Sequence, residues 1–197
     1  MSKIISLFRR SAGELRTTRC LTVSALFIAL NIALDLTGLT LRLSSELRIG
    51  FGYLCNASIG MLFGPVPGML AGICTDVLGY FAGNLSMGAY FPGYTLTAIT
   101  GGLIWGLWLY RPDGGLLRDS RIKRILRLVG AKASINLFCN IFLNTLWLTV
   151  VYGKSLSILL PVRVMKNLVL LPLECVLLYF TVQLVLTCRR TFAFGNR

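Results

Sequence analysis

Residues 48–80, RIGFGYLCNASIGMLFGPVPGMLAGICTDVLGY, decide the architecture. Two apolar runs flank Gly64-Pro65-Val66-Pro67-Gly68, a cluster of strong turn formers. The stretch therefore reads as a tight hairpin of two helices, about 49–63 and 67–82. Only Asp76 is charged between its Arg48 and its last residue. So long an uncharged surface belongs in lipid or in a deep core.

Composition chooses lipid. Of 197 residues, 55% are apolar without counting 20 glycines, and mean hydropathy is +0.74. Charged residues are 14%, against about 25% in a soluble domain. These values exclude an ordinary soluble domain and intrinsic disorder. The fold class is an all-α polytopic membrane protein. Six spans fit: about 20–36, 49–63, 67–82, 95–110, 130–151 and 161–187. A charged start followed by an apolar run is like a signal peptide. No small-residue cleavage site ends that run and more spans follow, so the first span is retained. The organisation expected is a basic cytoplasmic segment 1–19, a membrane domain 20–188 and a cytoplasmic tail 189–197.

The net charge of +13 falls in blocks rather than in a nucleic-acid stripe. Lys and Arg number five in 1–19, seven in 111–132 and three in 189–197. The other side holds Arg42, Arg48, Lys154, Arg163 and Lys166. The bias places both termini in the cytoplasm and agrees with an even number of spans.

Several chemistries are excluded. With no histidine there is no Ser-His-Asp triad and no His-ligated metal or haem. The six cysteines contain no C-x-x-C pair and sit mostly in apolar stretches, as small buried hydrophobes do. Gly153-Lys154-Ser155 lacks the upstream glycine of a phosphate-binding loop. No cofactor and no metal is implied. Transport by so small a chain would draw its energy from partners.

Polar residues at membrane depth mark the candidate site. A mid-helix carboxylate such as Asp76 costs about 2.5–3.5 kcal/mol. It needs an intramembrane cation, a ligand or a wet cavity. Asp35 and Glu174 are weaker candidates of the same kind. Pro161 suits a first helical turn, and Arg163, Lys166 and Asn167 after it share a helix face. They either anchor the sixth span by snorkelling or face a ligand. Asn136, Asn140 and Asn144 recur every four residues and, with Trp147, line a polar cavity or bond neighbouring helices. A carboxylate, amides, aromatics and cations gathered at the outer side suit a planar heterocycle carrying negative charge.

Small residues recur at four-residue spacing: Ala25, Ala29 and Ala33 in the first span, then Gly60, Gly64, Gly68 and Gly72, and Gly102 with Gly106. Such stripes let helices approach closely in lipid. The glycines read as packing within the bundle. The alanines serve that or docking on a separate subunit.

The stretches ALFIALNIAL, IGFGYL, GMLFGPV, DVLGY, GAYFPGYTL, NTLWLTVVYGK and PVRVMKN together resemble the substrate-binding S component of energy-coupling factor (ECF) vitamin transporters, in its folate type. The resemblance covers nearly all of the chain after residue 20. It implies a non-enzymatic subunit in the bacterial plasma membrane that captures folate or a related pterin from outside. Docking through Ala25, Ala29 and Ala33 onto a transmembrane coupling subunit, driven by two ABC ATPases, would then deliver the vitamin. By position, Asp76, Arg48, Tyr90, Phe91, Asn144, Trp147, Arg163, Lys166 and Asn167 should bind the substrate. Asp76 would meet the pterin edge, the aromatics would stack, and the cations would hold the glutamate tail. Other S components, for riboflavin, thiamine or a queuosine precursor, are the near alternative. A small intramembrane enzyme using Asp76 as base is the remote one.

Overall fold

The computed structural model describes residues 2–38, 40–42, 48–84, 90–111, 116, 119–152 and 156–193. The chain is a helical bundle. Its elements are α1 (Ser2–Glu14), α2 (Thr18–Leu36), a ribbon of β1 (Thr40–Arg42) and β2 (Arg48–Gly50), α3 (Gly52–Phe63), α4 (Pro65–Gly79), α5 (Pro92–Leu109), α6 (Arg121–Ile135), α7 (Asn144–Tyr152) and α8 (Leu156–Ala193). A π-helical turn, Tyr80–Asn84, continues α4. A longer π-helical segment, Asn136–Leu143, joins α6 to α7 into one rod. The antiparallel ribbon pairs Thr40 with Gly50 and Arg42 with Arg48, a small addition to an all-helical architecture.

Among the described residues, four helical stretches are long and apolar enough to cross a membrane: Thr18–Leu36, Pro65–Gly83, Arg121–Val151 and Leu160–Cys188. Of the other two expected spans, the apolar helix α3 is short, at 12 residues, and α5 has 18 residues, four of them glycine. Much of the bundle's surface is apolar: Leu26, Phe81, Phe142, Leu168, Phe180 and Leu184 are all exposed. In water such a surface would aggregate, and in a bilayer it is solvated by acyl chains.

The expected hairpin is present and its turn is specific. Gly64 has φ +95°, in the left-handed region that favours glycine. Pro65 then opens α4 at a position where its missing N–H costs nothing. Beyond the turn, α4 packs on α5 backbone to backbone. A Cβ on Gly68 would stand 2.7 Å from the Gly102 carbonyl oxygen, and one on Gly102 would strike the Gly68 carbonyl in return. The glycine spacing is therefore internal packing, as expected.

Three boundaries differ from expectation. Residues 2–14 form a helix, because Ile4, Phe8 and Leu15 recur at helical spacing. The helix of the fifth span starts at Arg121, where the Ser120 hydroxyl caps it by accepting from Lys123 N–H at 3.4 Å. Lys132, counted with the loop cations, is thus a buried helical residue. Pro161 lies inside α8, five residues past its start, rather than in the first turn.

Candidate functional site

The ends of α4 and α7 and the starts of α5 and α8 meet at one end of the bundle, which also carries the β1–β2 ribbon. Most predicted ligand residues lie here, in three connected groups.

The first surrounds Asp76 on α4. Thr95 Oγ1, in the first turn of α5, donates to Asp76 Oδ2 at 2.6 Å. Tyr90 shares a hydrogen bond with the same Thr95 hydroxyl and packs edge-on against Tyr80, ring centroids 5.2 Å apart. Asp76 has no cation against it among the described residues. Its partner is a hydroxyl, which leaves acceptor capacity on a half-buried carboxylate.

The second group is aromatic. Phe91 precedes Pro92 in extended conformation, as a residue before proline should. Its ring stands edge-on to Trp147 at 5.5 Å and to Tyr94 at 5.9 Å. Trp147 Nε1–H donates to Thr97 Oγ1 at 2.9 Å, fixing the indole between α7 and α5.

The third group is a polar ladder. Arg163 Nη1 donates to the Asn140 carbonyl oxygen at 3.0 Å. Asn140 Nδ2 donates to Asn167 Oδ1 at 3.2 Å and to Asn136 Oδ1 at 2.9 Å. Asn136 Nδ2 reaches Glu174 Oε2 at 3.4 Å, and Lys132 Nζ pairs with that oxygen at 3.1 Å. Lys132 also lies 4.0 Å from the centroid of the Tyr53 ring, and Tyr53 donates to the Glu174 carbonyl oxygen at 3.1 Å. The intramembrane cation weighed as a partner for Asp76 thus belongs to Glu174. Of the asparagine repeat, Asn136 and Asn140 serve interhelical bonding, and the Asn140 carbonyl holds Arg163.

Asn144 and Lys166 are half-buried on the same helices. Arg48 belongs to β2, and its side chain lies outside the described residues, as do positions 85–89 of the expected second outer loop. Tyr94, Thr95 and Thr97 join the site without having been singled out for it, and the Y-T-L-T run at the start of α5 was their one sequence signal. Asn140, weighed as a cavity or interhelical residue, bonds Asn167 of α8.

Away from this end, Ala25, Ala29 and Ala33 all lie exposed on one face of α2. Beside them an apolar groove of about 680 Å³ runs between α2, α3 and α8, lined by Leu26, Phe27, Leu30, Leu54 and Leu184. None of the predicted ligand residues lines it.

No family model matches the chain. The sequence is 35% identical over 133 residues to the folate transporter FolT of Clostridium novyi, covering 68% of this chain and 71% of that protein. It is 30% identical over 169 residues to the folate transporter FolT of Leuconostoc mesenteroides, covering 83% and 84%. Among solved structures, a crystal structure of FolT bound with folic acid superposes with TM-score 0.66 at 25% identity, over 83% of this chain and 92% of that one. The S component of a bacterial ECF transporter superposes with TM-score 0.55 at 22% identity, over 91% and 98%, a likeness of fold. With the helical membrane architecture and the extent of these matches, the chain belongs to the FolT family of folate transporters.

Proposed function

We propose that this chain is the folate-binding S component of an ECF-type importer, a transport subunit and not an enzyme. The observation that carries the reading is the Asp76 carboxylate, bonded to Thr95 at the same end of the bundle as the Phe91–Trp147 aromatic pair, in a chain of this family. Asp76 accepts from the N–H edge of the pterin. Tyr90, Phe91 and Trp147 pack on its ring. Arg48, Arg163 and Lys166 hold the glutamate carboxylates, with Asn144 and Asn167 as neutral donors at the rim.

The chain crosses the bacterial plasma membrane six times, with both termini cytoplasmic and the ligand end outside. The basic blocks at 1–19, 111–132 and 189–197 support that orientation. The exposed Ala25, Ala29 and Ala33 face offers close approach to a coupling subunit, and two ABC ATPases supply the energy this chain has no motif to generate.

Titration of the purified, stripped chain with folate tests this, following tryptophan fluorescence with riboflavin and thiamine as controls. Saturable quenching by folate, lost in Asp76→Ala and in Trp147→Phe for separate reasons, is the expected result. A response to riboflavin or thiamine alone replaces the substrate. Silence toward all three in a folded sample ends the proposal.

A further inference from the structure

α1 has two unlike faces. Ile4, Phe8, Ser11 and Leu15 fall on one side at i, i+4, i+7 and i+11, and Arg9 and Arg10 fall opposite. The C-terminal half of the first face is docked. Ser11 is fully buried, donates to the Phe63 carbonyl oxygen at 2.9 Å and accepts from Val66 N–H at 3.1 Å, so it clasps the turn at Gly64. Leu15 packs with the small core of Cys20, Ile59, Phe63 and Ala71. The N-terminal half of this face is bare: Ile4 is 60% exposed, and Ile5, at the edge of the face one turn before Arg9, is 64% exposed. These residues stand about 10 Å along the helix from Ser11. A face that packs upward against the end of the bundle continues past the protein at the level where the spans end, which is the level of lipid headgroups.

Charge identifies the occupant. Residues 1–19 hold five Lys and Arg against Glu14 alone. Arg9, Arg16 and Arg19 are exposed around α1, as are Arg111, Arg121 and Lys123 at the same end of the bundle. The pattern recurs where α6 begins, with Ile122 72% and Leu126 65% exposed between those cations. Bare aliphatic side chains flanked by cations at one level around a bundle match an anionic lipid surface.

We propose that α1 is an interfacial helix that seats Ile4 and Ile5 among the acyl chains and its arginines against the anionic headgroups of the leaflet at the basic end. Its clasp through Ser11 then ties the α3–α4 turn to that surface. The inference is independent of the ligand.

Nitroxide labels at Ile4→Cys and Arg9→Cys, in the full chain with exposed Cys74 and Cys188 changed to Ser, test it in nanodiscs. Discs of phosphatidylcholine alone are compared with discs containing phosphatidylglycerol. The expected result is several-fold greater access of oxygen than of a nickel chelate at position 4, and the reverse at position 9. That contrast should sharpen with phosphatidylglycerol and weaken in Arg9→Gln/Arg16→Gln read at position 4. Chelate access at position 4 in both discs would show a water-exposed helix and overturn the proposal. Burial of both labels in both discs would mean that protein, not lipid, covers the helix. Equal depth in neutral and anionic discs would remove the headgroup interaction.

Discussion

Between α4 and α5 the helices touch through their backbones, whereas α6 and α8 touch through charged and amide side chains. The first interface rests on glycines set so closely that the Gly68 and Gly102 main chains are in contact. The second rests on Lys132, Asn136, Asn140, Arg163, Asn167 and Glu174, in a ladder that climbs about 16 Å of α8. Its backbones are irregular, with a π-helical segment on one side and Pro161 and Pro172 on the other. Lipid explains why both solutions exist. Where lipid tails are as apolar as leucine, helices gain from close packing or from hydrogen bonds that hydrocarbon cannot supply. The glycine interface makes a rigid half, and the ladder ties the half that carries Arg163 and Lys166 to it through Tyr53.

The sharpest way to break this contrast is to strand one charge. Glu174→Gln leaves Lys132 buried without its carboxylate, and removing one partner of a buried pair costs about 3–5 kcal/mol. Thermal unfolding in detergent should register the loss. Lys132→Met combined with Glu174→Met should recover most of it, because the penalty comes from the unpaired charge. A double variant as unstable as the single one would show that packing, not the pair, fastens α6 to α8.

The glycine half should break for a steric reason. Gly102→Val drives a side chain into the Gly68 carbonyl, where only backbone can yield, and overpacking of this kind costs about 1–3 kcal/mol. Gly79→Val is the matched control, since a Cβ there meets nothing within 4 Å. Equal behaviour of the two would deny that close approach distinguishes this half.

The same contrast governs what could be read from sequence. Spacing exposes backbone packing: the turn at 64–68 and the glycine repeat located α3, α4 and α5 to within a few residues. The aromatic and acidic members of the site were visible as polar groups inside apolar runs. Pairing was not, because Lys132 and Glu174 are 42 residues apart and no periodicity links them. Lys132 read as a loop cation since α6 begins amphipathic and basic, and only its far end enters the bundle. α1 was missed for a related reason, as five basic residues hid an apolar stripe of three or four.

Smaller effects refine the ladder. Asn140→Ala deletes two side-chain bonds, to Asn136 and Asn167, and leaves the carbonyl that holds Arg163. Interhelical bonds in membranes average about 0.6 kcal/mol, so unfolding should shift by about 1 kcal/mol with a modest loss of folate affinity. An affinity loss as large as that of Arg163→Gln would mean that the Asn140 side chain itself contacts the ligand.

The smallest stability change should come from the Asp76 corner, and it separates structure from function. Thr95→Val removes the one hydroxyl that bonds both Asp76 and Tyr90, at about 0.6 kcal/mol per bond. Asp76→Ala should cost no stability and can raise it, because it deletes a carboxylate whose insertion costs about 2.5–3.5 kcal/mol. Binding should follow the opposite order. Folate affinity should fall about tenfold, or 1.4 kcal/mol, in Thr95→Val, where the carboxylate remains but loses the group that orients it. It should vanish in Asp76→Ala. Calorimetric titration beside unfolding of the same samples reads both quantities. If instead Asp76→Ala destabilises the chain and leaves folate binding intact, Asp76 is a helix fastener like Glu174, and the ligand end owes its specificity to Arg163 and the aromatic pair.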